Sequence, residues 1–373
     1  MKNWSRITPF ETQCNQEETW LYKDGKIEKR FDVQVELGKP IDILSLKLSM
    51  LEDFRKNTAK IRDSRIAIYK KTDMQYVENC PVCENNTQSS CEVLQVYGAK
   101  YFRCENCSHY FVIERPSKKA LEEFYAKDNQ YQNTYADSKT TETRIKEVAV
   151  PKVKWLLRQF ERVYGRKPKS VLDVGAGSGH FVQACKVSGI EADGIELSDK
   201  GRLFCKENFG IELLDKDFAK GWESFTDYEV ITFWGVIEHV SHPMEMLTSA
   251  AKALSKKDGL IVVEVPRWSC FSTTVQSAFS GSIVRHLEPL GHINCFSDSS
   301  LATAFLMSGF DITAAWYFGM DAYELITQTS NLLNDNSVLE KMGENIPAFQ
   351  KTLDLARLSD EVVFSGKPSD GSD

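Results

Sequence analysis

Nowhere in these 373 residues does an apolar run approach the roughly 20 residues needed to cross a bilayer. The opening Met1-Lys2-Asn3-Trp4-Ser5-Arg6 leads into polar sequence without the apolar stretch of a secretory signal. Positive charge is also short. With 46 Lys and Arg against 53 Asp and Glu, the net charge of -7 gives no general attraction to phosphate backbones or anionic membranes. Internal repeats are missing, and only the tail, residues 365–373, is so poor in apolar side chains that disorder is expected. What is present, 42% hydrophobic and 27% charged residues, describes a globular protein expected in the cytoplasm, with no membrane insertion and room for two or three domains.

Strand and helix patterns alternate through the middle of the chain. Strands are expected at 170–174, 192–197, near Ile211, at 229–234 and at 260–265, with helices at 180–188, 200–208 and 244–254 between them. Continuous apolar strands separated by helices are what a parallel sheet buried on both faces requires, so the fold class is α/β. An amphipathic helix over 147–164, with Val150, Val153, Leu156, Leu157, Phe160 and Val163 on one face and Gly165 at its end, leads into this region. The expected organisation is an N-terminal α+β segment (1–75), a cysteine module (76–116), a linker with a short helix capped by Ser117 (117–146), an α/β domain (147–330) and a helical extension with its tail (331–373). The first segment holds a hairpin around Lys23-Asp24-Gly25-Lys26 and a helical pattern through Ile43, Leu44, Leu46, Leu48, Leu51 and Phe54, with a structural or homo-oligomerising role expected.

Two common nucleotide loops are absent. Strand residues Val171-Leu172-Asp173-Val174 run into glycines at 175, 177 and 179, but a dinucleotide G-x-G-x-x-G would need its third glycine where His180 stands, and no Gly-Lys-Ser/Thr completes a Walker loop. A plain strand-to-helix turn is the alternative. The run resembles motif I of class I methyltransferases, an acid followed by G-x-G-x-G, and further motifs of that family follow in order over about residues 150–330. The resemblance implies a Rossmann-like sheet with helices on both faces and S-adenosylmethionine as cofactor. Asp173, Gly175, Ala176, Gly177 and Gly179 would cradle it. Glu196, followed by Leu197, would accept hydrogen bonds from the ribose hydroxyls, and Asp217 and Phe218 would meet the adenine amino group and ring. The segment Phe233-Trp234-Gly235-Val236-Ile237-Glu238-His239-Val240 looks like the family's motif after the fourth strand, which places Trp234 at the cofactor.

Ten cysteines include Cys80-Pro81-Val82-Cys83 and Cys104-Glu105-Asn106-Cys107, two C-x2-C knuckles at zinc-ribbon spacing, each turning two thiolates toward one tetrahedral ion. Zinc is the expected metal, in a structural role; Cys14, Cys91, Cys185, Cys205, Cys270 and Cys295 are expected as thiols. Many ribbons grip nucleic acid. This one carries Glu78, Glu84, Glu92, Glu105 and Glu114 against Lys100, Arg103 and Arg115, the wrong sign for an RNA grip. A ribbon before such a domain, with Gly291-His292-Ile293-Asn294-Cys295-Phe296-Ser297 leading into a helix, is similar to bacterial methyltransferases of sugar and polysaccharide biosynthesis. That similarity implies a small-molecule acceptor, a nucleotide-linked or glycan sugar, methylated on carbon or oxygen. A zinc-ribbon RNA methyltransferase and a non-catalytic cofactor-binding subunit are the alternatives.

Methyl transfer from a sulfonium is an in-line displacement, and a hydroxyl or carbon-acid acceptor must also lose a proton. Glu238 and His239 lie just beyond a strand's carboxyl end, where ligands of open α/β sheets collect, and His292 lies in the long stretch that would cover the acceptor. These three are the candidate catalytic residues. A loop-orienting or helix-capping role, or joint binding of a divalent cation, is the alternative. Arg267 could meet a phosphate or carboxylate of the substrate, or a surface acid.

Overall fold

In the computed structural model, residues 3–7, 16–39, 54–70, 73–125, 140–255, 258–278 and 285–369 are described; Cys14 and the helical pattern from Ile43 to Leu51 lie outside them. The strands, in chain order, are β1 (Trp4–Ile7), β2 (Gln16–Asp24), β3 (Ile27–Leu37), β4 (Met74–Tyr76), β5 (Cys91–Val96), β6 (Ala99–Arg103), β7 (Tyr110–Val112) and β8 (Glu114–Pro116). They continue with β9 (Ser170–Val174), β10 (Glu191–Ile195), β11 (Val230–Trp234), β12 (Leu260–Pro266), β13 (Asn294–Cys295), β14 (Phe310–Phe318) and β15 (Glu361–Pro368).

Strands β9, β11 and β12 are nearly all apolar and buried, because helices cover both their faces, while the edge strand β10 carries Glu191 and Asp193. They pair in parallel in the order β12-β11-β9-β10. Strand β9 thus has its successor β10 on one side and the later β11 on the other. The crossovers leave β9 in opposite directions, and a crevice opens at the carboxyl ends of these strands. The expected helices are present: His180–Val187, Asp199–Phe209, Pro243–Leu254, and Val150–Tyr164 with a left-handed Gly165 at its end. No strand forms near Ile211 among the described residues; a single bridge between Ile195 and Leu214 stands there.

The sheet does not stop at the boundaries drawn from sequence. Beyond β12 it continues through β15, β14 and β3 to the hairpin partner β2 and then β1. Strand β15 runs antiparallel between β12 and β14, and β3 runs parallel to β14. The expected disorder of the tail is therefore corrected for residues 365–368. Ser365 is fully buried and shares a 2.8 Å hydrogen bond with Thr313, while a Cβ on Gly366 would meet the Phe305 ring at 2.9 Å. Small and polar residues read as solvated chain, but here they fit where a larger side chain would clash.

The cysteine module is a second sheet, β5-β6-β7, whose last strand pairs with β13 from the far side of the chain. Tyr97, Tyr101 and Phe111 fill its core, and Tyr110 stacks on Trp268 with centroids 4.1 Å apart. Helix Phe54–Tyr69 packs Ile66 and Tyr69 against it and ties it to the loop before β13: Arg65 donates to Glu288 at 2.7 Å and the Tyr69 hydroxyl donates to the Pro289 carbonyl at 2.9 Å. None of the described helices is long and apolar enough to cross a membrane.

Candidate active site

The glycine turn follows β9 directly. Gly175 and Gly179 both have φ +77°, and a Cβ would meet Val236 at 2.6 Å in the first and the Cys205 sulfur at 2.1 Å in the second, so neither position accepts a side chain. Asp173 is buried beneath the turn and accepts a 2.7 Å hydrogen bond from the Thr232 hydroxyl. Burial pushes its carboxyl up to about 7. Glu196 ends β10 and holds the turn in place: its two oxygens accept from Gly177 N–H and Ser198 N–H, each at 2.7 Å.

A cavity of about 400 Å³ opens against this turn. Asp173, Gly175, Ala176 and Gly177 line it, as do Trp234, Glu238, His239 and His292. Sequence-separated candidates for the donor and the acceptor therefore share one space. The other cofactor candidates stand apart from it. Leu197 is 67% exposed, and Asp217 is exposed and paired with Lys220 at 3.2 Å. Phe218 is 2% exposed and packs between Phe225 and Phe233 as a core residue; the ring expected to stack on adenine is enclosed by the protein.

On the opposite wall, the His239 Nδ1–H donates to the Gly291 carbonyl at 2.9 Å, which leaves Nε2 facing Glu238 Oε1 at 3.6 Å. Burial holds the His239 pKa below the ordinary histidine value. The His292 ring lies 4.8 Å from that of His239, and ligand atoms of Glu238, His239 and His292 fall within 4.8 Å of one another. Arg267 is not at this wall. It is buried and bound to Asp298 at 2.5 and 3.2 Å, so its partner is an acid of the protein.

The cysteine module clamps the loops that carry Glu238–His239 and His292. Tyr101 donates to the His292 carbonyl at 2.9 Å and Val112 N–H to the Ile293 carbonyl at 3.0 Å. Asn294 then joins three segments: its N–H donates to the Glu238 carbonyl at 3.1 Å, its amide nitrogen to the Val240 carbonyl at 2.8 Å, and its amide oxygen lies 3.2 Å from His109 Nε2. Within the module the knuckles match. Glu84 N–H returns to the Cys80 carbonyl and Ser108 N–H to the Cys104 carbonyl, both at 3.0 Å, with φ near +60° at Glu84 and Ser108. The four sulfurs lie within 4.8 Å, with Cys80–Cys107 at 3.7 Å and Cys83–Cys104 at 3.6 Å. Four sulfurs bonded at about 2.3 Å to a tetrahedral ion would sit about 3.8 Å apart, so the cluster fits zinc in both donor type and spacing.

Several cavity residues were not singled out from sequence: Lys39 after β3, Lys152 in the helix Val150–Tyr164, Glu264 within β12, Phe318 at the end of β14, and Glu361 at the start of β15. Glu264 carried a signal, an acid inside an otherwise apolar strand. Lys39 carried none, because only the parallel pairing of β3 with β14 brings it to the carboxyl edge.

Residues 142–315 match the family described as methyltransferase domain. The ubiquinone biosynthesis O-methyltransferase of Nitrosomonas europaea is 29% identical over 123 residues, 30% of this chain and 47% of that protein, so the chain spans about half the length of this curated relative. A SAM-dependent methyltransferase from Archaeoglobus fulgidus is 21% identical, covering 62% of this chain and 100% of that one with a TM-score of 0.38. The plantazolicin methyltransferase BamL, solved with a triazolic analogue and SAH, is 14% identical over 64% of this chain and 95% of its own, with a TM-score of 0.42. Family match, strand order and glycine turn lead to one conclusion: residues 142–315 form a methyltransferase domain of the class I, S-adenosylmethionine-dependent kind.

Proposed function

We propose that the whole chain is an enzyme that methylates oxygen or carbon of a hydroxyl-rich small molecule, a nucleotide-linked or glycan sugar. The observation that carries this reading is the single cavity between the glycine turn and the Glu238–His239–His292 wall. Its remaining lining includes an aromatic plate, Phe318, and the carboxylates Glu264 and Glu361, beside the amines of Lys39 and Lys152. A flat ring that covers a sugar face, together with acceptors for its hydroxyls, suits a polyol.

Asp173, Gly175, Ala176, Gly177, Gly179, Glu196 and Trp234 would hold the methyl donor, with Leu197 covered by it. Glu238, His239 and His292 would orient the acceptor. His239 Nε2 faces a carboxylate, an arrangement that favours a proton, a hydroxyl hydrogen or a divalent cation between them. Zinc in the four-cysteine cluster would hold the acceptor loops through the module. The relative from Nitrosomonas europaea is by name an O-methyltransferase, which favours oxygen as the nucleophile.

The test is label transfer from methyl-labelled S-adenosylmethionine to a panel of nucleotide sugars, with binding of the donor measured by calorimetry. Gly177→Asp and Glu196→Ala should each weaken donor binding at least about tenfold. Undiminished binding in both variants would remove the reading. His239→Ala or His292→Ala retaining full turnover would exclude that histidine from the acceptor wall.

A further inference from the structure

The N-terminal strands are absent from the stretch that matches the methyltransferase family, yet they deliver a side chain to the cavity. Strand β3 runs parallel to β14 from Ala314↔Gln34 to Tyr317↔Leu37, so the two end on the same edge. Gly38 N–H donates to the Tyr317 carbonyl at 2.7 Å, and Trp316 Nε1 donates to the Gly38 carbonyl at 2.9 Å. The next residue, Lys39, is thereby fixed with its amine over the Phe318 ring, 4.8 Å from the centroid, and 5.7 Å from that of Trp316. It is only 9% exposed, and it lines the cavity that also holds Glu238, His239 and the glycine turn.

We propose that Lys39 is the general base of methyl transfer, taking the proton from the acceptor's nucleophilic oxygen or carbon. The proposal rests on the reading above that this cavity is the acceptor site. In the step, the acceptor's electron pair forms the new bond to the methyl carbon and the electron pair of the breaking sulfur–carbon bond stays on sulfur. The proton moves to the Lys39 amine. Products are the methylated acceptor, S-adenosylhomocysteine and the Lys39 ammonium, which returns its proton to water on release.

The surroundings prepare this amine for the task. The amine lies against two aromatic rings, and burial pulls its pKa down to about 7. Lys152, from the neighbouring helix, acts in the same direction. Glu264 on β12, Glu361 on β15 and Glu147 before the helix oppose it. Lys152 is itself engaged, 2.5 Å from Glu264 and with its nitrogen 4.6 Å from the Trp234 centroid, which leaves Lys39 as the amine toward the acceptor. A sulfonium in the cavity would add a further positive charge and favour the neutral amine. His239, whose Nδ1–H is engaged by Gly291 and whose Nε2 faces Glu238, has the acceptor-orienting part in the reading above.

The experiment uses the full-length, zinc-loaded protein. Trace acetic anhydride in competition across pH 5 to 10, with S-adenosylhomocysteine present and peptides read by mass spectrometry, reports the titration of individual lysines. Lys39 should acetylate with a midpoint near 7; a midpoint near 10 would overturn the proposal. Lys39→Arg keeps a cation that cannot accept the proton. It should bind S-adenosylmethionine within about threefold of wild type while label transfer to a nucleotide sugar falls roughly 100-fold or more. Lys39→Ala should regain transfer when ethylamine is added, with the acid limb of the pH profile moving to the pKa of the added amine. Transfer unchanged in Lys39→Arg, or lost in Lys39→Ala without amine rescue while the protein melts as wild type, refutes the base. Absence of donor binding by wild type would instead refute the methyltransferase reading, and the acetylation midpoint would still stand.

Discussion

The two walls of the cavity, one proposed for the methyl donor and one for the acceptor, are built in opposite ways. The donor wall is one strand and the turn after it, held by Glu196 from the next strand. The acceptor wall collects Lys39, Glu238, His239, His292, Phe318 and Glu361 from across the chain, and it depends on the cysteine module and the outer strands for its shape. Local construction makes the donor wall independent of the module. The acceptor wall has no such independence, because Tyr101, Val112 and Asn294 fasten its loops to the module.

The strongest way to break this comparison is to remove the cysteine cluster. Cys80→Ser combined with Cys107→Ser, or extraction of metal with a strong chelator, should abolish transfer, a loss of more than about 100-fold, and lower the melting temperature. Donor affinity by calorimetry should stay within about threefold. If donor affinity falls in parallel with transfer, the walls are not separable.

Phe218→Ala sharpens the donor side. As a core ring between Phe225 and Phe233 it should cost about 3–5 kcal/mol in denaturant unfolding. Donor affinity below the transition should change little. A large affinity loss with little change in stability would return Phe218 to the cofactor site.

Asn294→Ala tests the joint between the walls. It removes hydrogen bonds at the Val240 carbonyl and His109, worth roughly 1–3 kcal/mol, and should lower turnover about tenfold without altering donor binding. Donor binding that weakens with turnover would show that the joint serves both walls.

The smallest effect concerns Asp173. Its pKa in the folded chain is raised to about 7 by burial, against an ordinary value near 3.8. Folding therefore favours the protonated acid. This contribution is fully present below about pH 4 and is lost as pH rises through 7. Without donor, the melting temperature should fall by a few degrees between pH 5 and pH 8, and Asp173→Asn should flatten that dependence.

Sequence carried further on one wall than on the other for a physical reason. Strand, glycines and acid lie close together, and each has a local consequence: an apolar run that must be buried, φ values that require glycine, and a carboxylate at a strand end. The cysteine knuckles were legible likewise, since two thiolates two residues apart already face one ion. Phe218 shows the limit on that wall, because a motif position does not say whether a ring faces ligand or core.

What the sequence by itself determined was the α/β class, the glycine turn with Asp173 and Glu196, and the four-cysteine pattern, all fixed by side chains acting within a few residues of their neighbours. Tertiary structure alone decided that β3 and β15 join the sheet, that residues 365–368 are buried, that Arg267 serves Asp298, and that Lys39 reaches the cavity. These depend on pairing between segments far apart in the chain, and no local pattern specifies which distant strand a strand will choose.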